Sequence, residues 1–269
     1  MQEFLIRTSH RTRPLPSGRW AMNQRWNDLL FAHWPVPAST LAALLPDGLL
    51  ADSFDGSAWL GILPFWMDRL RFRGLPPLPG AQNFPELHLR TYVRDQRTNT
   101  PGIYTFSQDA GSLLSVLTAR AFSRQPYHWA TMRLEQRTER EFSFYSRRLL
   151  SADPVIFQAR YRGLGPTRKL VESRNGTLEH FLLERYCLFS RNRAGLLRRS
   201  NLHHVSSPLE KAEAEIERND LAAAIGISLP LEEPVLYYAR RLAVYVWPTE
   251  PVRPKLATRP VAVAVTPSG

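Results

Sequence analysis

From Pro85 to Val93 the chain reads PELHLRTYV, with Glu86, His88, Arg90 and Tyr92 alternating with Leu87, Leu89, Thr91 and Val93. A period of two is the strand period. The apolar row can face a core, and the ionisable row faces either water or an enclosed interior. Similar runs, punctuated by proline and glycine, predict strands in GIYTFSQD (102–109), YHWATMRLEQR (127–137), REFSFYSRRLL (140–150), VIFQARYRG (155–163) and EPVLYYARRLAVYVWP (233–248). MNQRWNDLLFAHW (22–34) suits a strand, with a helix as the alternative. LLADSFDGSAWLGILPFWM (49–67) reads as a hairpin across Asp55-Gly56.

Other stretches carry helical spacing. VPASTLAALLPDG (36–48) predicts a short helix with Pro37 in its first turn. DAGSLLSVLTARAF (109–122) predicts a helix capped by Asp109 or Ser112, with Leu113, Leu114, Leu117 and Ala121 as its buried stripe. TLEHFLLERY (177–186) suggests another. SPLEKAEAEIERNDLAAAIG (207–226) carries the clearest helix signals, with Ser207 and Glu210 as a capping box, Pro208 in the first turn and Gly226 as the stop. Proline-rich RGLPPLPGAQNFP (73–85) reads as a loop.

Strands dominate, with a few helices interspersed rather than in regular alternation, and no glycine-rich nucleotide loop follows a strand. The pattern predicts one α+β domain over residues 20–248, mainly antiparallel, as a sheet or closed barrel. Residues 1–19 form an extension, and residues 249–269 a proline-rich, partly disordered tail.

Composition adds few constraints. Of 269 residues 43% are hydrophobic and 22% charged, ordinary for a globular chain. No apolar run approaches the roughly 20 residues that span a bilayer, and the N-terminus lacks a secretory pattern, so no membrane association and a cytoplasmic location are expected. The lone cysteine, Cys187, sits in an apolar run and reads as a buried small hydrophobe. The net charge of +11 rests on 32 arginines against 3 lysines. It allows an anionic partner, nucleic acid included, but the arginines are spread along the whole chain and no nucleic-acid module is recognisable. Homo-oligomerisation is left open.

The chemistry-bearing residues narrow the function classes. His203 and His204 are adjacent, and no HExxH or paired-cysteine spacing marks a metal site. No serine stands in a G-x-S-x-G elbow. A Schiff base needs a lysine held partly neutral. Lys211 and Lys255 lie in charged or proline-rich surroundings, leaving Lys169 the only one with a claim. Neither a metal nor any other cofactor is expected. Arg90 and Arg120 lie among apolar and aromatic residues. Each can grip a carboxylate through its planar fork, or pair with Glu86, Asp109 or Glu184.

The segments WNDLLFAHWPVP, DGSAWLGILPF, PELHLRTYV, GIYTFSQDA, AFSRQPYHWATM and GTLEHFLLERYCLF together resemble the YqjF-like family of uncharacterised bacterial proteins, from about Trp20 to about Pro248. That family looks like a remote relative of acetoacetate decarboxylase. The resemblance implies a large, cone-like, mostly antiparallel β-barrel with a few packed helices and a closed interior that holds the ligand. The decarboxylase pattern's strand glutamate then falls on Glu86, its G-x-Y on Gly102 and Tyr104, its arginine on Arg120 and its proline on Pro126. The pattern's second glutamate becomes Ala121, the Schiff-base lysine becomes Tyr127 and the next lysine His128, so the imine mechanism does not carry over.

In such a barrel the row Glu86, His88, Arg90, Tyr92 lines the interior while the apolar row packs against outer helices. The expected activity is the binding of a small polar or carboxylate ligand. Arg90 and Arg120 hold the anion; Tyr92, Tyr104, Tyr127 and His128 complete the site. If the pocket catalyses, acid–base chemistry on an enol or keto acid fits, lyase-like, with Glu86 or His88 carrying the proton. A non-catalytic sensor on the same barrel and a basic nucleic-acid binder are the alternatives.

Overall fold

The computed structural model describes residues 13–76, 83–122, 125–169, 176–192, 194–204 and 208–252, together with Thr8 and Arg11. Its frame is a 13-stranded sheet, β1 (Met22–Val36), β2 (Leu49–Ala51), β3 (Ala58–Phe72), β4 (Phe84–Asp95), β5 (Pro101–Ala110), β6 (Tyr127–Gln136), β7 (Glu141–Arg148), β8 (Ile156–Lys169), β9 (Cys187–Arg191), β10 (Leu197–His204), β11 (Pro208–Asn219), β12 (Val235–Val246) and β13 (Glu250–Pro251). Three helices accompany it, α1 (Ala38–Ala42), α2 (Leu113–Phe122) and α3 (Leu178–Leu183). None of the described helices is long and apolar enough to cross a membrane.

Nine strands close a barrel in the order β5-β6-β7-β8-β11-β12-β1-β3-β4 and back to β5. All neighbours are antiparallel except β5–β6. The sheet also forks. Val244–Val246 of β12 pair with β10, and Ile103–Tyr104 of β5 pair with β9 in parallel. β9 and β10 therefore bridge β5 and β12 by a second route, closing a smaller ring of seven strands with β1, β3 and β4.

The two rings share β4, and this answers the question its alternation raises. Leu87 and Leu89 point into the nine-strand ring, where they meet Leu60, Ile62, Phe144, Phe157 and Tyr161 in a dry core. Phe84 and Tyr92, in step with the ionisable row, belong to a second core with Trp26, Phe65 and Val244 inside the seven-strand ring. Both rows are buried. The apolar row thus packs against opposing strands rather than outer helices, which corrects the sequence expectation.

Other expectations need correction too. The 207–226 segment is not a helix. Residues 208–219 form β11, antiparallel to β8, with Ala212, Ala214 and Ile216 turned to the dry core and Glu213, Glu215 and Glu217 outside, paired with Arg160 and Arg162. Glu210 caps no helix; its carboxylate accepts from the Gly165 N–H at 2.8 Å. Ser207, the other half of the expected capping box, lies outside the described residues. The Asp55-Gly56 turn forms, with both residues at positive φ (49° and 79°) and the reciprocal Phe54–Ser57 bonds made. Pairing stops there, because β2 joins β4 instead of β3. Helix α2 faces the opposite way from its predicted stripe. Leu113, Leu114, Leu117 and Ala121 are exposed, and Val116 is buried. Ser112 is its cap, accepting from the Ser115 N–H, while Asp109 stays in β5.

Candidate functional site

Inside the seven-strand ring lies a cavity of about 340 Å³ walled by β1, β3, β4, β5, β9, β10 and β12, with the Ser115–Thr118–Ala119 side of α2 and Tyr127 closing one end. Most of its wall is apolar, including Met22, Trp26, Phe72, Phe84, Leu202 and Val246. The small polar side of α2 turns inward because it covers this space rather than a packed core, which leaves the helix's leucines outside.

Glu86 and His88 stand on the cavity wall, 1% and 6% exposed. They are two residues apart on a strand and so share a face. The His88 Nε2 lies 2.8 Å from Glu86 Oε2, and the imidazole sits edge-on to Phe65 and Trp26. On the other carboxylate oxygen, the Tyr127 hydroxyl donates to Glu86 Oε1 at 3.3 Å. Burial, with Glu86 beside it, pushes the Tyr127 phenol well above its ordinary range, so it stays protonated. A carboxylate held between an imidazole and a phenol, open to a mostly apolar cavity, can accept and return a proton.

Arg90 continues the row and lines a smaller annex of about 40 Å³ that shares Trp26, Ile103, Leu202 and Val244 with the main cavity. The other expected residues are placed differently. Tyr92 is fully buried behind the wall, its hydroxyl 2.7 Å from His33 Nε2. Tyr104 packs with Leu49, Val93 and Phe189 on the opposite face of β5. Arg120 donates through Nε to the Tyr127 carbonyl at 2.8 Å, so it anchors the start of β6 and is not among the residues lining the cavity. His128 follows Tyr127 on the strand and does not line the cavity either; burial and the nearby charges of Arg148 and Arg120 lower its pKa to about 4. Cys187 is buried and inert, its thiol pushed up to about 12 mainly by burial. Among the described residues no lysine lines the cavity: Lys211 is exposed, and the Lys169 and Lys255 side chains lie outside that set.

Sequence reasoning missed Thr105 and Gln108. Both line the cavity because the β4–β5 register slips between Leu89↔Ser107 and Arg90↔Thr105, leaving Phe106 as an extra residue that reverses the facing of β5. Gln108 is buried with its Oε1 unpartnered among the described residues. Also missed was the Asp109–Arg148 ion pair, in which Arg148 Nε lies 2.9 Å from each carboxylate oxygen and Nη2 donates to Ser107.

The comparisons with known proteins agree with this architecture. An acetoacetate decarboxylase from Legionella pneumophila is similar in structure, with a TM-score of 0.59 at 14% identity over 91% of this chain and 94% of that one. An acetoacetate decarboxylase-like enzyme from Sphingomonas wittichii RW1 gives 0.58 at 14%, over 91% and 99%. The enduracididine biosynthesis enzyme MppR, solved with pyruvate, gives 0.57 at 10%, over 89% and 93%. In sequence, the uncharacterized protein YqjF of Bacillus subtilis (strain 168) is 43% identical over 234 residues, 87% of this chain and 93% of that protein. The model of DUF2071, a family of uncharacterized conserved proteins, matches residues 23–243, and the chain belongs to that family.

Proposed function

We propose that this protein binds a small carboxylic acid in the seven-strand cavity and moves a proton at the carbon next to the ligand's carbonyl. One observation carries the reading: Glu86 is buried on the cavity wall between His88 and Tyr127, with no lysine among the described lining residues.

Glu86 takes the proton from the carbon, the electron pair of the broken C–H bond becomes the carbon–carbon double bond while the carbonyl π pair moves onto its oxygen, and the protonated Tyr127 hydroxyl donates to the resulting enolate. His88 holds Glu86 in place through Oε2. Returning a proton to the carbon closes the cycle without an imine. The pyruvate held by MppR is chemistry of the same class on a similar frame, and the unpartnered Gln108 Oε1 offers the ligand a further polar contact.

The test is solvent exchange. Keto acids incubated with the protein in heavy water are followed by proton NMR for deuterium uptake next to the carbonyl. Uptake that disappears in Glu86→Gln supports the reading. Keto acids that raise the melting temperature of the protein yet never exchange point instead to a non-catalytic sensor.

A further inference from the structure

Arg90 is 6% exposed, yet it forms no salt bridge with any of the described residues. Among the described residues, Asp52 is engaged by Arg185 at 2.7 Å and Arg94 at 2.8 Å, Asp109 by Arg148, and Glu86 by His88 and Tyr127. What Arg90 meets is the Tyr92 hydroxyl at 3.5 Å and the rings of Phe31 and Tyr92, each 5.8 Å from its guanidinium carbon. Among the described residues its Nε has no partner, and neither does the buried indole N–H of Trp26 in the wall between annex and cavity. Arg185 adds a second guanidinium to the annex.

Buried donors are normally paired, and a buried charge without a counter-charge weakens the fold. Two idle donors and an excess of positive charge around one small space fit a counter-charge supplied by the ligand. The annex volume of about 40 Å³ compares with roughly 10–15 Å³ for the space that just admits one water. That is room for a head group and not for a whole metabolite. The planar arginine fork matches a carboxylate. The walls shared with the main cavity, apart from the Trp26 N–H, are apolar: Trp26, Ile103, Leu202 and Val244.

We propose that the annex binds the carboxylate of a monocarboxylic acid whose apolar body lies in the main cavity, with Arg90 as the principal anion-binding residue. The proposal deepens the proposed function and rests on it. It also constrains the substrate. Glu86 and Arg90 are four residues apart on an extended strand, about 13 Å between Cα positions. A ligand with its carboxylate at Arg90 and its reactive carbon at Glu86 therefore carries the two several bonds apart, unlike a short β-keto acid.

Calorimetric titration of the full chain with straight-chain acids from butanoate to decanoate, and with the matching primary alcohols, tests this. The expected result is that acids bind more tightly as the chain lengthens, until the cavity is full. Each alcohol binds about tenfold or more weakly than its acid, as expected when a charge-assisted pair is lost. Arg90→Met closes that gap by weakening the acids alone, and the ligand-free variant melts no lower than the wild type because an unmatched buried charge is gone. Acids that bind Arg90→Met as tightly as wild type overturn the annex assignment while leaving the cavity reading standing; absence of binding by any carboxylate, keto acids included, removes both. Should Arg90→Met not fold, Arg90→Lys decides, since loss of the fork must weaken acids while sparing alcohols, and unchanged acid affinity overturns the proposal.

Discussion

The Tyr127 hydroxyl sits 3.3 Å from Glu86 Oε1, on the residue that the family resemblance sets against the imine-forming lysine of the decarboxylase pattern. A phenol forms no imine, and this one is held protonated by burial and by the carboxylate next to it. Wild-type protein incubated with acetoacetate or pyruvate and then borohydride is expected to gain no adduct, read by intact-protein mass spectrometry. Tyr127→Phe should keep the fold, losing about 0.5–1.5 kcal/mol for one hydrogen bond in urea unfolding, and should lose most deuterium exchange. A full-strength exchange rate in Tyr127→Phe would exclude the hydroxyl from the chemistry.

A second buried carboxylate plays a structural part. Asp109 on β5 and Arg148 on β7 are 1% and 9% exposed and tie together two strands that both neighbour β6. Removing one member leaves the other as an unmatched buried charge, which costs about 3–5 kcal/mol. Asp109→Ala and Arg148→Met are each expected to fall by that amount in urea unfolding, and the double variant Asp109→Ala/Arg148→Met to recover part of the loss. Simple additivity of the two losses would show that the pair does not act as a unit.

How much of this was legible in the sequence varies by element. The β4 alternation showed that Glu86, His88 and Arg90 share a face, and a mainly antiparallel barrel followed from the patterning and the family resemblance, while the order of its strands did not. Segment 207–226 misled because two signals competed. Pro208 and Glu210 look like a helix start, yet the run Ala212-Glu213-Ala214-Glu215-Ile216-Glu217 is a strict strand alternation, and pairing with β8 decides it. Helix α2 misled because its neighbour is a cavity, so its leucines lose their claim to the inside. The bulge at Phe106 has no local signature, so the facing of Gln108 could not be read from one strand alone. Arg120 and Arg90 looked alike in sequence; only the fold shows one bound to a backbone carbonyl and the other lining the annex.

The glycine of the G-x-Y motif has a packing explanation. A Cβ on Gly102 would lie 2.6 Å from the Cys187 carbonyl oxygen and 2.7 Å from the Phe189 ring, where β9 runs parallel to β5 and opens the second route around the barrel. Backbone cannot yield as a flexible side chain does. Gly102→Ala is expected to destabilise by about 1–3 kcal/mol through overpacking, measured by urea unfolding. An unchanged midpoint would mean that the two strands separate easily. The corresponding change at Gly18, where a Cβ meets nothing within 4 Å, provides a control free of contact; because Gly18 has a φ of 84°, any loss there reports backbone strain alone.

His128 supplies a pH signature. Its folded-state pKa is lowered from 6.5 to about 4 by burial first, then by Arg148 and Arg120. In the unfolded chain the imidazole takes a proton near pH 6.5, while in the folded chain it does not until about pH 4. Unfolding therefore binds a proton in that window, and the stability that His128 contributes above it is lost as pH falls. His128→Gln removes this dependence. The stability of the variant relative to wild type, from urea unfolding at matched pH, should rise steadily as pH falls from about 6.5 to about 4 and level off outside that range. Taking the difference cancels the other buried groups, His33, whose pKa is also lowered, and Asp109, whose pKa is raised, provided the substitution leaves them in place. A flat difference across the window would show that the imidazole titrates alike in both states.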